Sequence, residues 1–193
     1  MAQLSVYLYV ANVVCYIRIA IVAYAWFLAK DDVCFASLFF ISIVLDGVDG
    51  WAARRFKQVS AFGAWLDVII DLWARAMLWG VVWPEFSGFV VSMEWAGFLC
   101  NYSEAGKDWK NPRDHPLFIR MLLKNGFKNF WGGIMVTGTH FLPLGMFARE
   151  KELLCSGVIR SIVLFLWFGK AISFYFDYYF ITRHIRKLVA RVD

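Results

Sequence analysis

Charge is scarce in this chain. Asp, Glu, Lys and Arg make up 18% of its 193 residues, against about 25% in an ordinary soluble domain. Disordered chains are apolar-poor and charge-rich, so disorder is excluded. Cysteine is also sparse: Cys15, Cys34, Cys100 and Cys155 are scattered, with no C-x-x-C pair. That spacing supports neither a disulfide framework nor a zinc site. There is no internal repeat and no low-complexity tract.

What is abundant is apolar surface. Hydrophobic residues reach 61% and aromatics 19%. A soluble fold of this size could not hide that many Phe, Trp and Tyr side chains from water. An integral membrane protein is the reading left, and residues 1–193 read as a single membrane domain with no room for a soluble one. The net charge of +5 then bears on orientation within a bilayer rather than on nucleic acid, which is not expected as a partner.

Apolar stretches run over about 8–29, 34–55, 61–84, 86–101, 129–148 and 157–182. Each predicts a helix, because open strands leave backbone groups unsatisfied in lipid. The fold class expected is all-α, with six transmembrane helices. The first stretch reads as a span and not a signal peptide, since no basic residue precedes it and Arg18 lies inside it. The one long polar stretch, 102–128, carries the breakers Asn111-Pro112 and His115-Pro116. Thirteen basic residues fall after the second stretch, between the fourth and fifth, and after the sixth; Lys30, Arg149 and Lys151 fall on the other side, with Arg160 just inside the sixth. The positive-inside rule then puts both termini in the cytosol.

Four carboxylates interrupt the apolar runs. Asp46 and Asp49 stand three apart in the second stretch, Asp67 and Asp71 four apart in the third. Each pair shares a helix face, so two facing helices would present four acids to one site. Clustered anions repel unless a counter-charge joins them. Two hard divalent cations would neutralise four carboxylates, and paired metals suit exchange of one phosphate ester for another. Gly50 and Gly63 flank the acids by one turn and would let a bulky ligand near the backbone, or simply let helices pack closely. Arg54, on roughly the face of Asp46, could grip a phosphate, whereas Arg55 and Lys57 read as membrane-edge anchors.

Together, Asp46-Gly-Val-Asp49-Gly50-Trp-Ala-Ala53-Arg54, eight residues, Gly63, three residues, Asp67, three residues and Asp71 resemble the signature of the CDP-alcohol phosphatidyltransferases. That signature is D-x-x-D-G-x-x-A-R followed by G-x-x-x-D-x-x-x-D. The resemblance implies a six-helix fold, two Mg2+ or Mn2+ ions, a CDP-linked lipid donor and a polar active-site cavity on the cytosolic side. It implies that Asp46, Asp49, Asp67 and Asp71 are metal ligands. Asp71 would also be the catalytic general base, and Gly50, Arg54 and Ser60 would bind CDP-diacylglycerol.

Within that family, the first 75 residues most resemble the eukaryotic phosphatidylinositol synthases. The likeness lies in Tyr9-Val-Ala-Asn12, in Tyr16-Ile-Arg18 and in the run from Arg54 to Asp67, with Lys170 in the last helix also agreeing. Myo-inositol is therefore the expected acceptor. Asp71-Leu72 and Met93-Glu94-Trp95 depart from those synthases where the acceptor would bind, so glycerol 3-phosphate, serine or a polyol phosphate stays open, as does a non-catalytic lipid- or metal-binding relative. The resemblance further implies an endoplasmic reticulum location and a homodimer. Arg75 reads equally as a contact to the acceptor or as a structural partner of Asp71, Lys170–Asp177 as a pair that neutralises itself, and Lys107 and Lys110 as loop charges that could attract phosphate.

Overall fold

A computed structural model describes residues 2–28, 30–105 and 115–190. The described residues form eight helices and no strand: α1 (Ala2–Tyr7), α2 (Val10–Phe27), α3 (Asp32–Arg55), α4 (Ala61–Val82), α5 (Pro84–Ala105), α6 (Leu117–Leu123), α7 (Phe130–Glu150) and α8 (Ser156–Val189). The all-α expectation holds. Six of these helices, α2, α3, α4, α5, α7 and α8, cover the six apolar stretches. Three of them, α2, α3 and α8, are long and apolar enough to cross a membrane. Apolar side chains such as Phe27, Phe40, Leu164 and Phe168 stand exposed on these three, a surface suited to lipid. Lys107, Lys110, Arg113 and Asn111-Pro112 lie outside the described residues.

The chain divides into two compact units, Met1–Leu78 and Trp79–Asp193. In the first, α2 packs on α3, and Cys15, Leu66 and Ile70 form a small core between α2 and α4. The helix ends are built from local chemistry. Asp31 caps α3, its carboxylate accepting from the Val33 and Cys34 N–H groups; the Cys34 N–H in particular holds that carboxyl below its usual range. Ser60 caps α4, its hydroxyl accepting from Gly63 N–H at 2.9 Å. Between them, α3 closes with Gln58 N–H bonded to Ala53 C=O and Lys57 N–H to Arg54 C=O. Lys57 takes the left-handed position of this Schellman turn, at φ 56°, where glycine is usual. The turn delivers Gln58 so that its Oε1 accepts the Val10 N–H at 2.9 Å, fastening the start of α2.

In the second unit α8 is the spine, packed by α7 and α5. The α7–α8 crossing is a backbone contact. A Cβ on Gly138 would lie 2.6 Å from the Gly169 backbone, and one on Gly169 would lie 2.3 Å from Ile134 C=O. This is the small-residue packing that membrane helices use in place of a hydrophobic drive. The polar stretch 102–128 contains a helix not anticipated from its composition: α6 is short, yet Ile119, Leu122 and Leu123 are fully buried against Met135, Ile172 and Phe176. Asn129 ties that segment down, donating to Leu122 and Lys124 C=O and accepting from Gly132 N–H. At 34 residues, α8 is roughly 50 Å long, well beyond the ~30 Å hydrocarbon core. Its last turns carry Arg183, Arg186 and Lys187 past the expected end at 182.

Of the two expected intrahelical pairs, Asp71–Arg75 forms, and Lys170 has a partner on another helix. Lys170 bonds to Glu94 on α5, at 2.5 Å, and Asp177 packs against Gly97, where a Cβ would lie 2.6 Å from Asp177 Oδ1. The reason is that a carboxylate opposite on the neighbouring helix reaches Lys170 in the dry interior, which same-face spacing along α8 does not require. Asp71 and Arg75 do share a face, with Arg75 Nη1 4.0 Å from Asp71 Oδ2.

Candidate active site

The carboxylates of α3 and α4 converge. Asp46 and Asp49 project from α3, Asp67 and Asp71 from α4, as the three- and four-residue spacings require. Asp49 is buried, with a side chain 5% exposed; Asp71 is 13% exposed, and Asp46 and Asp67 are 29% exposed. The site is therefore open at Asp46 and Asp67 and closed at Asp49. Oxygens of Asp46, Asp67 and Asp71 lie within 4.8 Å of one another, and so do ligand atoms of Cys15, Asp49 and Asp67. Asp67 belongs to both groups. The carboxylate oxygens of Asp46, Asp67 and Asp71 form a set that could hold a hard divalent cation.

A fifth residue stands at the centre, and sequence reasoning missed it. Arg18 of α2 is 2% exposed and forms ion pairs with all four acids. Its Nη1 lies 3.1 Å from Asp46 Oδ1, 2.8 Å from Asp49 Oδ2 and 3.0 Å from Asp67 Oδ1, while Nη2 bonds to Asp71 Oδ1. Arg18 Nε has no hydrogen-bond acceptor. The signal was present: an arginine inside a spanning segment is costly and usually faces a polar interior. What was missing was the relation of α2 to the other two helices. Cys15, one turn earlier on α2, adds a thiol that donates to Asp49 Oδ2 at 3.5 Å.

The remaining predicted residues line the same unit. Gly50 is covered by the side chain of Arg54, whose Nη1 would lie 3.3 Å from a Cβ there; the glycine makes room for that guanidinium. Gly63 faces Asn12 on α2, with a Cβ position 2.7 Å from Asn12 Oδ1. Asn12, 1% exposed, also donates to Val6 C=O at 2.6 Å. Gly63 thus lets α4 approach α2 closely enough for Arg18 to reach the acids. Ser60 sits beside it, with its hydroxyl engaged as the α4 cap.

The profile of the CDP-alcohol phosphatidyltransferases matches residues 8–101, which hold all of this cluster. A probable CDP-diacylglycerol–inositol 3-phosphatidyltransferase 2 of Arabidopsis thaliana is 45% identical over 180 residues, covering 84% of this chain and 77% of that protein. The CDP-diacylglycerol–inositol 3-phosphatidyltransferase of Candida albicans is 40% identical over 90 residues, 44% of this chain and 39% of that protein. A CDP-diacylglycerol–glycerol-3-phosphate 3-phosphatidyltransferase of Sodalis glossinidius is 37% identical over 60 residues, 31% of this chain and 33% of that protein. No solved structure matches the chain.

Proposed function

The chain belongs to the CDP-alcohol phosphatidyltransferase family, and we propose that it moves the phosphatidyl group of CDP-diacylglycerol onto myo-inositol, giving phosphatidylinositol and CMP. The observation that carries this reading is the convergence of Asp46, Asp49, Asp67 and Asp71 from two helices into one oxygen-rich site. The choice of inositol is supported by similarity along most of the chain to a relative named for it.

Asp46, Asp49, Asp67 and Asp71 would hold two Mg2+ or Mn2+ ions. Bound there, the ions would supply charge neutralisation at the diphosphate and at the departing CMP oxygen. The protein's own side chains position the reactants. Arg54, folded over Gly50, offers a forked donor pair to the cytidine diphosphate, with Ser60 beside it. Asp71 accepts the proton of the acceptor hydroxyl at a carboxylate oxygen. The oxygen so freed bonds to the phosphorus that bears the diacylglycerol; the bond from that phosphorus to the CMP oxygen breaks, in line with the attack. CMP leaves with the electron pair.

In this reading α2, α3, α4, α5, α7 and α8 are six spans, and the site faces the cytosol of the endoplasmic reticulum. The clustering of basic residues at that side supports the orientation. Acyl chains then stay in lipid while the headgroup enters the polar site. The test is CMP release from CDP-diacylglycerol by purified protein, with Mn2+ or Mg2+, over a panel of alcohols. Inositol should stimulate release far above glycerol 3-phosphate or serine; a preference for an anionic acceptor would overturn the inositol assignment and leave the donor chemistry standing.

A further inference from the structure

Arg18 Nη1 lies within 3.1 Å of oxygens from Asp46, Asp49 and Asp67. A cationic nitrogen at similar distances from three carboxylates occupies the point that a small cation would take. An ion coordinated by the same oxygens at about 2.0–2.1 Å would overlap that nitrogen, so the two cannot hold the oxygens together. We propose that Arg18 is a tethered competitor of the divalent ions: it gathers and partly neutralises the four carboxylates, and it must turn out of their centre before the ions bind. Arg18 thereby sets the affinity of the site for metal.

The electrostatics favour an exchange of this kind. Four neighbouring carboxylates in a partly buried site repel one another strongly, and a fixed guanidinium relieves that repulsion. Two divalent ions would neutralise the four charges by themselves, after which the guanidinium is no longer needed at the centre. Its long side chain allows withdrawal, and the Nε–H, which meets no acceptor in the present position, loses no bond by moving. Lysine would be a weaker competitor, because its single ammonium cannot contact Asp71 and the other three acids through two separate nitrogens.

The inference rests on the metal-site reading, and the experiment separates the two. Mn2+ binding to the purified full-length chain is measured without substrate, from the electron paramagnetic resonance signal of free Mn2+. Four proteins are compared: wild type, Arg18→Gln, Arg18→Lys and Asp46→Asn. If the guanidinium occupies the centre about 90% of the time, its removal should tighten Mn2+ binding about tenfold. Arg18→Gln should also melt at lower temperature without Mn2+ and recover when Mn2+ is added. Arg18→Lys should tighten binding several-fold and decides the matter if Arg18→Gln does not fold. Unchanged or weaker Mn2+ binding in the folded Arg18 variants, with wild-type binding intact, would overturn the competitor role alone. A wild-type chain that binds no Mn2+, or binding indifferent to Asp46→Asn, would overturn the metal site and this inference with it.

Discussion

Glu94 on α5 and Lys170 on α8 form an ion pair at 2.5 Å with both side chains almost wholly removed from solvent, 5% and 0% exposed. The Lys170 ammonium also lies 4.7 Å from the Phe174 ring centroid, a cation–π contact in a desolvated setting. With both side chains withdrawn from solvent, the pair compensates charge where water does not.

Breaking that pair from one side should therefore cost much more than replacing it. Glu94→Gln alone leaves the Lys170 ammonium buried without its carboxylate, at a cost of about 3–5 kcal/mol. The double variant Glu94→Leu with Lys170→Met should recover most of the loss. Thermal melting of the purified variants in detergent checks this, and additive losses in the double variant would show that the pair is not coupled.

The carboxylates of the site should separate by role. Asp71→Asn should lower transfer about 100-fold or more, the range of a lost general base, and leave CDP-diacylglycerol binding largely intact. Asp46→Asn, in the more open part of the site, should lose metal and donor together. Donor binding and CMP release measured on both variants distinguish these patterns. Equal loss of donor binding would mean that Asp71 is chiefly structural.

Backbone contact between α7 and α8 makes Gly138 sensitive to the smallest addition. Gly138→Ala places a methyl 2.6 Å from Gly169 and should destabilise by about 1–3 kcal/mol through overpacking. Gly133→Ala, on the same helix with nothing within 4 Å of its Cβ position, should be neutral or slightly stabilising, since alanine favours helix over glycine. Paired melting curves in one detergent give the comparison.

Asn101-Tyr102-Ser103 has the form of a glycosylation acceptor. Asn101 lies within α5 and is 3% exposed, and the proposed orientation puts it at the cytosolic end of that helix. No glycan is expected on it in a eukaryotic membrane. An endoglycosidase-sensitive mass shift that vanishes in Asn101→Gln would invert the orientation while leaving the aspartate cluster untouched.

The sequence by itself determined whatever depends on position along one helix. Spacings of three and four put Asp46 with Asp49 and Asp67 with Asp71, and the long apolar runs required helices because backbone groups in lipid must be satisfied internally. Gly63 falls one turn before Asp67 by the same rule, whereas the eight-position signature, which runs from α3 into α4, was legible only as a resemblance to a known family. Tertiary structure decided whatever depends on which helices meet. Arg18 sits among the four acids only because α2 packs against α3 and approaches α4 at Gly63. Lys170 finds Glu94 because α5 lies against α8. A buried charge announces through its cost that it has a partner; the partner's identity is fixed by interhelical contacts that no single helical period encodes.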